Sequence, residues 1–501
     1  MTPVAPQEAP DRSAKLLALA EKRFGAGLTE ADRKLFRATA NGEIALYGDG
    51  KLPPDKPDAN RILQADRIRW LCTDPEAVKE VLPHEGVRVQ GARIEGRVRL
   101  SNARIEFPLS LKGCSIEKGI SLDRAQLPAL FLSGTHSGPI GADGLVMKHD
   151  LFMQRGFEAT GEVRLLGAKI GGVLSCIGGH FTNTKPDGYA LNADGIDVKS
   201  SVFLSDRFEA VGEVRLLGAK IGGELSCDGG HFTSSKPDGY ALNAEGIEVT
   251  GSVFLREGFK AEGTVNFTAA TVGRWFNWRG VDAPEKCTLL RLESARIGTL
   301  QDEEESWPQK LSLDGLVYDR LYSDSPMDAD TRVGEWIRRN DQKQFLPQPY
   351  EQLAKVLQEM GHEEAARQVR IAKEEDPVRL KALTRRGRLR HKVLGATIGY
   401  GYRPWRAALW MLVFLVLGSA LFGYAARTEN GGLMQVKEGT SPTFNALIYS
   451  LDTFVPLIDL HQAKYRLPTW WWLRWYLWFH IICGWALTTL LVVGLSGLVH
   501  K

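Results

Sequence analysis

The 501-residue sequence is poor in closely spaced cysteines. Its six cysteines lie far apart, and no two form a CxxC pair. The sequence therefore signals neither a zinc site nor a redox motif. We expect reduced thiols that pack as small buried hydrophobic groups, and we predict no metal, no cofactor and no catalytic residue. The positions are Cys72, Cys114, Cys176, Cys227, Cys287 and Cys483.

An excess of either charge sign is also missing. The chain has 63 Lys+Arg against 60 Asp+Glu, a net charge of +3, which excludes a globally basic nucleic-acid-binding protein. Met1 to Leu28 contains no apolar run and carries acidic residues early, so we expect no secretory signal. The residues before the first membrane segment are then expected to be cytoplasmic.

Two long uncharged runs stand near the C-terminal end. Residues 407–426 are 20 residues without a charge, and residues 475–499 are 25 residues with only His480 and Cys483 as titratable side chains of note. About 20 apolar residues are needed to cross the bilayer core as a helix. Both runs are therefore predicted to be transmembrane helices. Several of the 13 tryptophans precede the second run, as expected of an aromatic belt at the membrane interface.

A basic juxtamembrane collar is predicted at residues 379–406, which hold nine Lys/Arg and no acid. This asymmetry places the collar in the cytoplasm, and two crossings return the C-terminus there. Nucleic-acid binding is the rival interpretation, but a basic run beside a membrane helix is more often a topology signal. We expect binding to anionic lipid headgroups. The candidate residues are Arg385, Arg386, Arg388, Arg390, Lys392, Arg403 and Arg406.

The predicted far-side loop, residues 427–474, contains a third apolar segment at 443–460. Its apolar part would span only about 18 Å as a helix, which favours a re-entrant or interfacial segment. Ala446 to Phe454 distantly resembles a potassium-channel pore helix, although no TVGYG-like filter follows it. The resemblance implies a tetrameric cation pore; the alternative is a surface hairpin with its acids in headgroup water. The candidate pore or selectivity residues are Ser450, Asp452, Thr453 and Asp459.

Internal repeats fill the long middle of the chain. The twelve residues from Gly161 to Gly172 recur unchanged at 212–223, and a degraded copy runs over 263–273, with a spacing of 51 residues each time. A finer period of 11 residues runs through Ala92, Ala103, Cys114 and Ala125. Between these positions apolar and polar residues alternate, which is typical of strands with one buried face.

Units of 10–11 residues cannot bury a core alone, so they must stack. We predict a mainly β chain, with a parallel β-solenoid over residues 84–320, about two units per coil, around eleven coils, and roughly 50 Å long at about 4.8 Å per rung. The repeats resemble pentapeptide-repeat proteins and related right-handed β-helices. Residues 86–300 hold 25 Lys/Arg and 24 Asp/Glu, so DNA mimicry is not expected. His180 and His231 are interpreted as corner residues instead of metal ligands.

Helical segments are predicted on both sides of the solenoid. Residues 1–83 are expected to form an N-terminal helical cap, with helices over 14–24, from Thr29, and over 59–72. Residues 321–378 are expected to be a linker and a helical hairpin, with helices over 350–360 and 362–373. The hairpin resembles a single tetratricopeptide-like unit.

Together, the repeats and the motifs around the apolar runs (YGYRPWRA and YSLDTFVPLIDL) resemble a group of uncharacterised bacterial membrane proteins. The resemblance implies an inner (plasma) membrane location. Some of that group are labelled "membrane-associated oxidoreductase", but no dinucleotide loop, flavin signature or cysteine pair supports this activity. The leading hypothesis is a membrane-anchored binding, scaffold or sensor module with an unknown cytoplasmic protein or ligand on the solenoid. A cation pore, as a homo-oligomer, is second and an oxidoreductase third.

Overall fold

The computed structural model describes residues 12–186, 188–340, 344–380, 382, 384–428, 432–435 and 443–495, without the side chains of Arg385, Gln435 and Leu495. The chain divides into two compact units, Met1–Ala365 and Ala366–Lys501.

The first unit is built on a parallel β-solenoid of about ten turns. Equivalent residues of successive turns pair in register, beginning with Val87, Leu109 and Leu130 and ending with Leu300 and Leu321. Every strand pairing within the solenoid is parallel, as coiling in one direction requires. The prediction of a parallel β-solenoid is confirmed, with about ten turns where around eleven coils were expected. Ala45–Leu46 and Ile62–Gln64, which precede the predicted bounds of 84–320, also pair with its strands.

Each turn contributes short strands to four columns. Each unit of 10–11 residues contains two short strands, because most straight segments are only two to four residues long. The first column contains Ala45–Leu46, Val87–Gln90, Leu109–Lys112, Leu130–Phe131, Leu151–Phe152, Leu174–Ser175, Val202–Phe203, Leu225–Ser226 and Val253–Leu255. The second contains Ile62–Gln64, Arg93–Glu95, Ser115–Ile116, His136–Ser137, Glu158–Thr160, His180–Thr182, Glu209–Val211 and His231–Thr233.

Longer strands appear in the third and fourth columns toward the C-terminal end, where some strands serve two columns. The third contains Val98–Arg99, Ile120–Ser121, Ile140–Gly141, Val163–Arg164, Tyr189–Asn192, Glu213–Arg215, Tyr240–Asn243, Lys260–Asn266, Cys287–Arg291 and Leu311–Ser312. The fourth contains Gln126–Leu127, Val146–Met147, Lys169–Ile170, Asp197–Val198, Lys220–Ile221, Glu248–Val249, Thr271–Trp278, Arg296–Asp302 and Val317–Leu321. Lys260–Asn266 also continues the second column, and Thr271–Trp278, Arg296–Asp302 and Val317–Leu321 continue the first.

The 51-residue repeat corresponds to two turns of unequal length. Leu174 pairs with Val202, which pairs with Leu225, 51 residues after Leu174. The longer of the two turns carries the segment around Lys185 in one copy and around Lys236 in the next. Both segments lie between strands, so the extra residues lengthen an outer loop. The strand after each loop has one register irregularity, between Tyr189 and Leu191 and between Tyr240 and Leu242, and regular pairing continues from Leu191 and Leu242.

A ladder of aromatic rings runs inside the solenoid. Adjacent rings lie 5.3–5.6 Å apart between centroids, and all six side chains are buried. These spacings allow each ring to pack on the next one. The six residues are Phe157, Phe181, Phe208, Phe232, Phe259 and Trp278. Five of the six cysteines are buried, and burial raises the pKa of Cys114 and of Cys287 to about 12.

Four helices lie before Val87 in the described chain: α1 (Arg12–Phe24), α2 (Glu30–Asn41), α3 (Ala65–Thr73) and α4 (Pro75–Glu80). The strands Ala45–Leu46 and Ile62–Gln64 lie between α2 and α3. Thr29 and Asp32 form a reciprocal capping box at the start of α2. The predicted helix over 59–72 is only half right. Ile62–Gln64 is a strand that pairs with Arg93–Glu95 of the second column. Its backbone N–H and C=O groups form hydrogen bonds with the first edge of that column, which favours a strand over a helix.

The last turns of the solenoid are followed by short helical segments, Ala329–Thr331, Arg332–Trp336 and Ile337–Arg339, and then by α5 (Gln348–Glu359). Arg332 is fully buried and forms two hydrogen bonds of 2.7 Å with the Asp302 carboxylate. Its guanidinium carbon lies 5.2 Å and 4.9 Å from the ring centroids of Trp307 and Trp336. This ion pair connects the helical segment Arg332–Trp336 to the solenoid strand Arg296–Asp302.

The second unit holds most of α6 (Glu363–Arg379), then α7 (Arg385–Ile398), α8 (Trp405–Arg427), α9 (Ala446–Phe454) and α10 (Trp471–Leu495). Leu433–Gln435 and Arg466–Pro468 form a two-stranded antiparallel ribbon. Among the described residues, α8 and α10 are long and apolar enough to cross a membrane. The predicted runs at 407–426 and 475–499 thus lie mostly within helices, and residues 496–499 lie outside the described part.

We expect Phe208→Ala to destabilise the solenoid by about 3–5 kcal/mol, because it opens a cavity in the aromatic ladder. Phe203→Ala is the matched control, since Phe203 is only partly buried. The measurement is urea unfolding of the full chain in detergent, followed by circular dichroism of the β signal. Equal effects of the two substitutions would contradict the structural role given to the ladder.

Candidate functional site

Two regions of the described chain have features that a function could use. One is a groove on the outer surface of the solenoid in the first unit. The other is the three-helix packing of α8, α9 and α10 in the second unit. Among the described residues, no group of three or more His, Cys, Asp or Glu side chains is placed to hold a metal ion.

The groove lies beside the first column in the early turns of the solenoid and has a volume of about 650 Å³, which is within the range of ligand pockets. Phe131 lies in it and stacks on Phe152 at 5.4 Å between centroids. The Lys112 ammonium lies 5.2 Å from the Phe131 ring centroid, and Lys148 lines the groove with an exposed side chain. An aromatic floor with two lysines suits a partner that presents an acidic group on an apolar segment.

The remaining charges of the groove are partly engaged. Arg88 Nη1 lies 2.7 Å from Glu85 Oε2, and Asp150 accepts a 2.8 Å hydrogen bond from the Val173 amide. Glu106, the third acid of the groove, is paired with Arg104 at 2.8 Å. The Asp150 carboxylate keeps its charge and offsets part of the charge of the two lysines. Nothing in the sequence marked Phe131, Lys112 or Lys148 in advance; only the solenoid register brings them together.

In the second unit, α9 packs against both long helices at two glycines. A Cβ at Gly484 of α10 would collide with the Phe454 carbonyl oxygen, and one at Gly418 of α8 would collide with the Ser450 hydroxyl. Close approach of helices at small residues is typical of membrane-spanning packing. The two glycines thus fix where α9 lies between α8 and α10.

Ser450 is the centre of a buried polar cluster. Its hydroxyl donates to the Leu415 carbonyl oxygen of α8 at 3.2 Å, and His480 Nε2 of α10 lies 3.2 Å from Ser450 Oγ and 3.3 Å from its carbonyl oxygen. His480 Nδ1 lies 3.3 Å from the Tyr476 hydroxyl. A neutral imidazole protonated on Nε2 satisfies all of these contacts, with Tyr476 as the donor to Nδ1.

A serine next to a histidine invites comparison with a nucleophile and its base. Here both side chains are fully buried, and the serine proton is directed to a backbone carbonyl instead of the imidazole. This geometry joins the three helices and does not activate the hydroxyl. Thr453 is engaged similarly, since its hydroxyl donates to the Tyr449 carbonyl oxygen at 2.9 Å.

The two candidate acids occupy different environments. The Asp452 carboxylate accepts three backbone hydrogen bonds, from Leu460 at 2.6 Å, Gln462 at 2.9 Å and Ala463 at 2.7 Å. It therefore organises the loop after α9. Asp459 is exposed; hydrogen bonding to the Lys464 ammonium, 2.5 Å away, lowers the pKa of its carboxyl group. The Lys464 ammonium also interacts electrostatically with Asp452.

The basic candidates lie on α7 and at the start of α8. Arg386, Arg390 and Lys392 are exposed, and Arg388 and Arg403 are partly buried. Arg406 donates to the Gly395 carbonyl oxygen at 3.1 Å, so it fastens α8 to α7. The side chain of Arg385 lies outside the described part. A short helical turn at Gly399–Gly401 follows α7, with positive φ at all three residues.

Asp452→Asn should destabilise the second unit by about 2 kcal/mol or more, because one amide oxygen cannot replace a carboxylate that accepts three backbone hydrogen bonds. The control is Asp459→Asn, whose exposed carboxylate should contribute little. Both are compared by thermal unfolding in detergent and by proteolysis of the loop at 455–465. Equal loop protection in the two variants would contradict the assignment of Asp452.

Comparison with known proteins adds no relative to this geometry: no protein family, no curated protein and no solved structure matches the chain.

Proposed function

We propose that the chain is a membrane-anchored β-solenoid that presents a binding or scaffold surface on the cytoplasmic side of a bacterial inner membrane. The observation that carries the proposal is the combination, in one chain, of a ten-turn solenoid and two helices long and apolar enough to cross a membrane. A solenoid is an extended surface, since each turn contacts only its neighbours. The anchor would hold that surface at the membrane.

The exposed side chains of α8 and α10 support the membrane part. Leu412 and Val416 of α8 are 57% and 61% exposed, and Ile482 of α10 is 66% exposed. Apolar side chains in such number on the outside of a helix unit would be unfavourable in water but suit lipid. Tryptophans at the start of α10, among them Trp471 and Trp475, are exposed as well, in keeping with an interfacial belt.

The orientation follows from charge. The basic residues of α7 and of the start of α8 would lie on the cytoplasmic side and bind anionic lipids, while the loop between α8 and α10 would lie on the far side. Both termini are then cytoplasmic; residues 496–501 lie outside the described part. We infer right-handed coiling of the solenoid from its resemblance to pentapeptide-repeat proteins, and we assign end caps to the helices at residues 12–80 and to α5.

The partner surface is the groove that contains Phe131, Lys112 and Lys148. An acidic protein segment with apolar residues fits its aromatic floor and its two lysines better than a nucleic acid does, because the groove is short and a phosphate backbone would bring more negative charge beside the groove's acids than one acidic side chain does. An oxidoreductase is the third candidate; a flavin or nicotinamide absorption band in the purified protein would favour it.

Membrane insertion should fail in the double variant Leu412→Arg/Val416→Arg. Each arginine near the middle of a membrane helix opposes insertion by about 2.5–3.5 kcal/mol. Val211→Arg, on the solenoid surface and 38% exposed, is the control. The measurement is the share of protein left in the membrane pellet after alkaline carbonate extraction. Release of the unmodified protein would contradict the anchor.

Photo-crosslinking in cells tests the groove. A benzoylphenylalanine at Phe131 should yield one discrete protein adduct, and Lys112→Glu/Lys148→Glu should reduce its yield at least several-fold through charge repulsion. The same probe at the exposed Glu245, outside the groove, is the control position. Adducts of equal yield at both positions, or none at Phe131, would contradict a binding surface there.

A tetrameric cation pore is the second candidate, and the packing of a short helix between two long ones favours it. In this proposal the exposed Asp459 forms the selective ring of a symmetric oligomer. Native mass spectrometry should then show a tetramer, and Asp459→Asn should lower cation conductance in planar bilayers several-fold. A monomer, or bilayers without current, would exclude the pore and leave the anchored solenoid intact.

A further inference from the structure

Helix α7 has apolar side chains on its exposed side. It begins after Thr384, whose hydroxyl accepts a hydrogen bond from the Gly387 amide, and it ends at Gly399, where φ is positive. Its exposed side includes Leu389 and Val393, which are 67% and 52% exposed. Ala396 is exposed three residues further on. At helical spacing these three residues form one apolar strip.

Basic side chains flank the strip on both sides. Arg386 and Arg390 lie on one side of it, one helical turn apart, and Lys392 lies on the other; all three are exposed. The opposite side of the helix is internal to the unit. Ile398 is buried in a cluster with Ala407 of α8, and the His391 ring lies 5.8 Å from that of Tyr400. The apolar strip is thus not the side that packs on the protein.

The strip leads onto the exposed surface of α8. The Trp410 indole N–H donates to the Ala396 carbonyl oxygen at 3.2 Å, and Trp410 is itself exposed. Arg406 fixes the same end of α7 through the Gly395 carbonyl oxygen. Leu409, one residue before Trp410, is exposed as well. The apolar surface of α7 is therefore continuous with the surface of α8 that would face lipid.

We propose that α7 lies in the plane of the cytoplasmic leaflet, with Leu389 and Val393 inserted between acyl chains and with Arg386, Arg390 and Lys392 on the phosphates of anionic lipids. An apolar strip bordered by basic residues is typical of interfacial helices, whose long cationic side chains extend to the headgroups. A nucleic acid would use the basic residues but would leave the strip exposed to water. The proposal rests on the membrane anchor proposed above.

Spin-label accessibility tests this placement in the full chain reconstituted in lipid nanodiscs. Single cysteines replace Leu389, Val393, Val416 of α8, or the exposed Arg97 of the solenoid, in a Cys483→Ala background, since the other five cysteines are buried. Oxygen partitions into lipid and a nickel chelate stays in water. The ratio of the relaxation enhancements that the two reagents cause therefore reports the depth of the label in the bilayer. We expect labels at 389 and 393 to lie just below the phosphates, at 416 near the bilayer centre, and at 97 in water.

Changing the lipid composition and the basic residues tests whether the charge attraction holds α7 at the membrane. In nanodiscs without anionic lipid, the labels at 389 and 393 should move toward water, and Arg386→Gln/Arg390→Gln/Lys392→Gln should have the same effect in anionic nanodiscs. Labels at 389 and 393 that stay aqueous while the label at 416 is deep would overturn the in-plane helix and leave the anchor standing. An aqueous label at 416 would overturn both. Protection of 389 only on addition of a DNA duplex would also overturn it.

Discussion

The structure of the first unit depends on one constraint: each short strand must pair in register with the strands of the turns before and after it. A segment of two residues cannot bury enough apolar surface to be stable alone, so no turn exists without its neighbours. In-register pairing places like side chains on top of one another, as Leu130, Leu151 and Leu174 show in the first column. The same in-register pairing stacks the aromatic rings of successive turns in the buried ladder.

Because the constraint acts only on the paired residues, the chain tolerates variation between strands. The outer loops around Lys185 and Lys236 lengthen two turns, and each loop is followed by one local register irregularity, after which regular pairing resumes. The groove at Phe131 arises differently: Phe131 and Lys112 belong to paired strands, but their side chains lie outside the buried interior. Binding chemistry on a solenoid is free to vary there, whereas the interior is not.

Much of this architecture could be predicted from the sequence, because the buried residues of a periodic fold recur at a fixed spacing. The 11-residue spacing of Ala92 and Ala103 and the 51-residue copies identify the solenoid. The strand at Ile62–Gln64 was missed, since its pairing with Arg93–Glu95 is a contact across some 30 residues and has no local signature. The groove was missed for the same reason: Lys112, Phe131 and Lys148 meet only in the folded turns.

In the second unit, the uncharged runs predicted the long helices, and the basic stretch predicted a charged flank. The roles of the polar residues could not be predicted. Asp452 and Asp459 look alike in sequence, but one carboxylate accepts three backbone amides and the other is exposed beside a lysine. Likewise, Ser450 and His480 are 30 residues apart, and only the close approach at Gly418 and Gly484 brings them together.

The central claim is that a cytoplasmic solenoid is carried by two membrane crossings. It is tested most directly by labelling intact cells with a membrane-impermeant maleimide, using single cysteines at Lys464 in the loop between α9 and α10 and at Arg97 on the solenoid. The account predicts labelling at 464 in intact cells, and at 97 only after the inner membrane is permeabilised. Labelling at 97 from outside, or at neither position until permeabilisation, would contradict it.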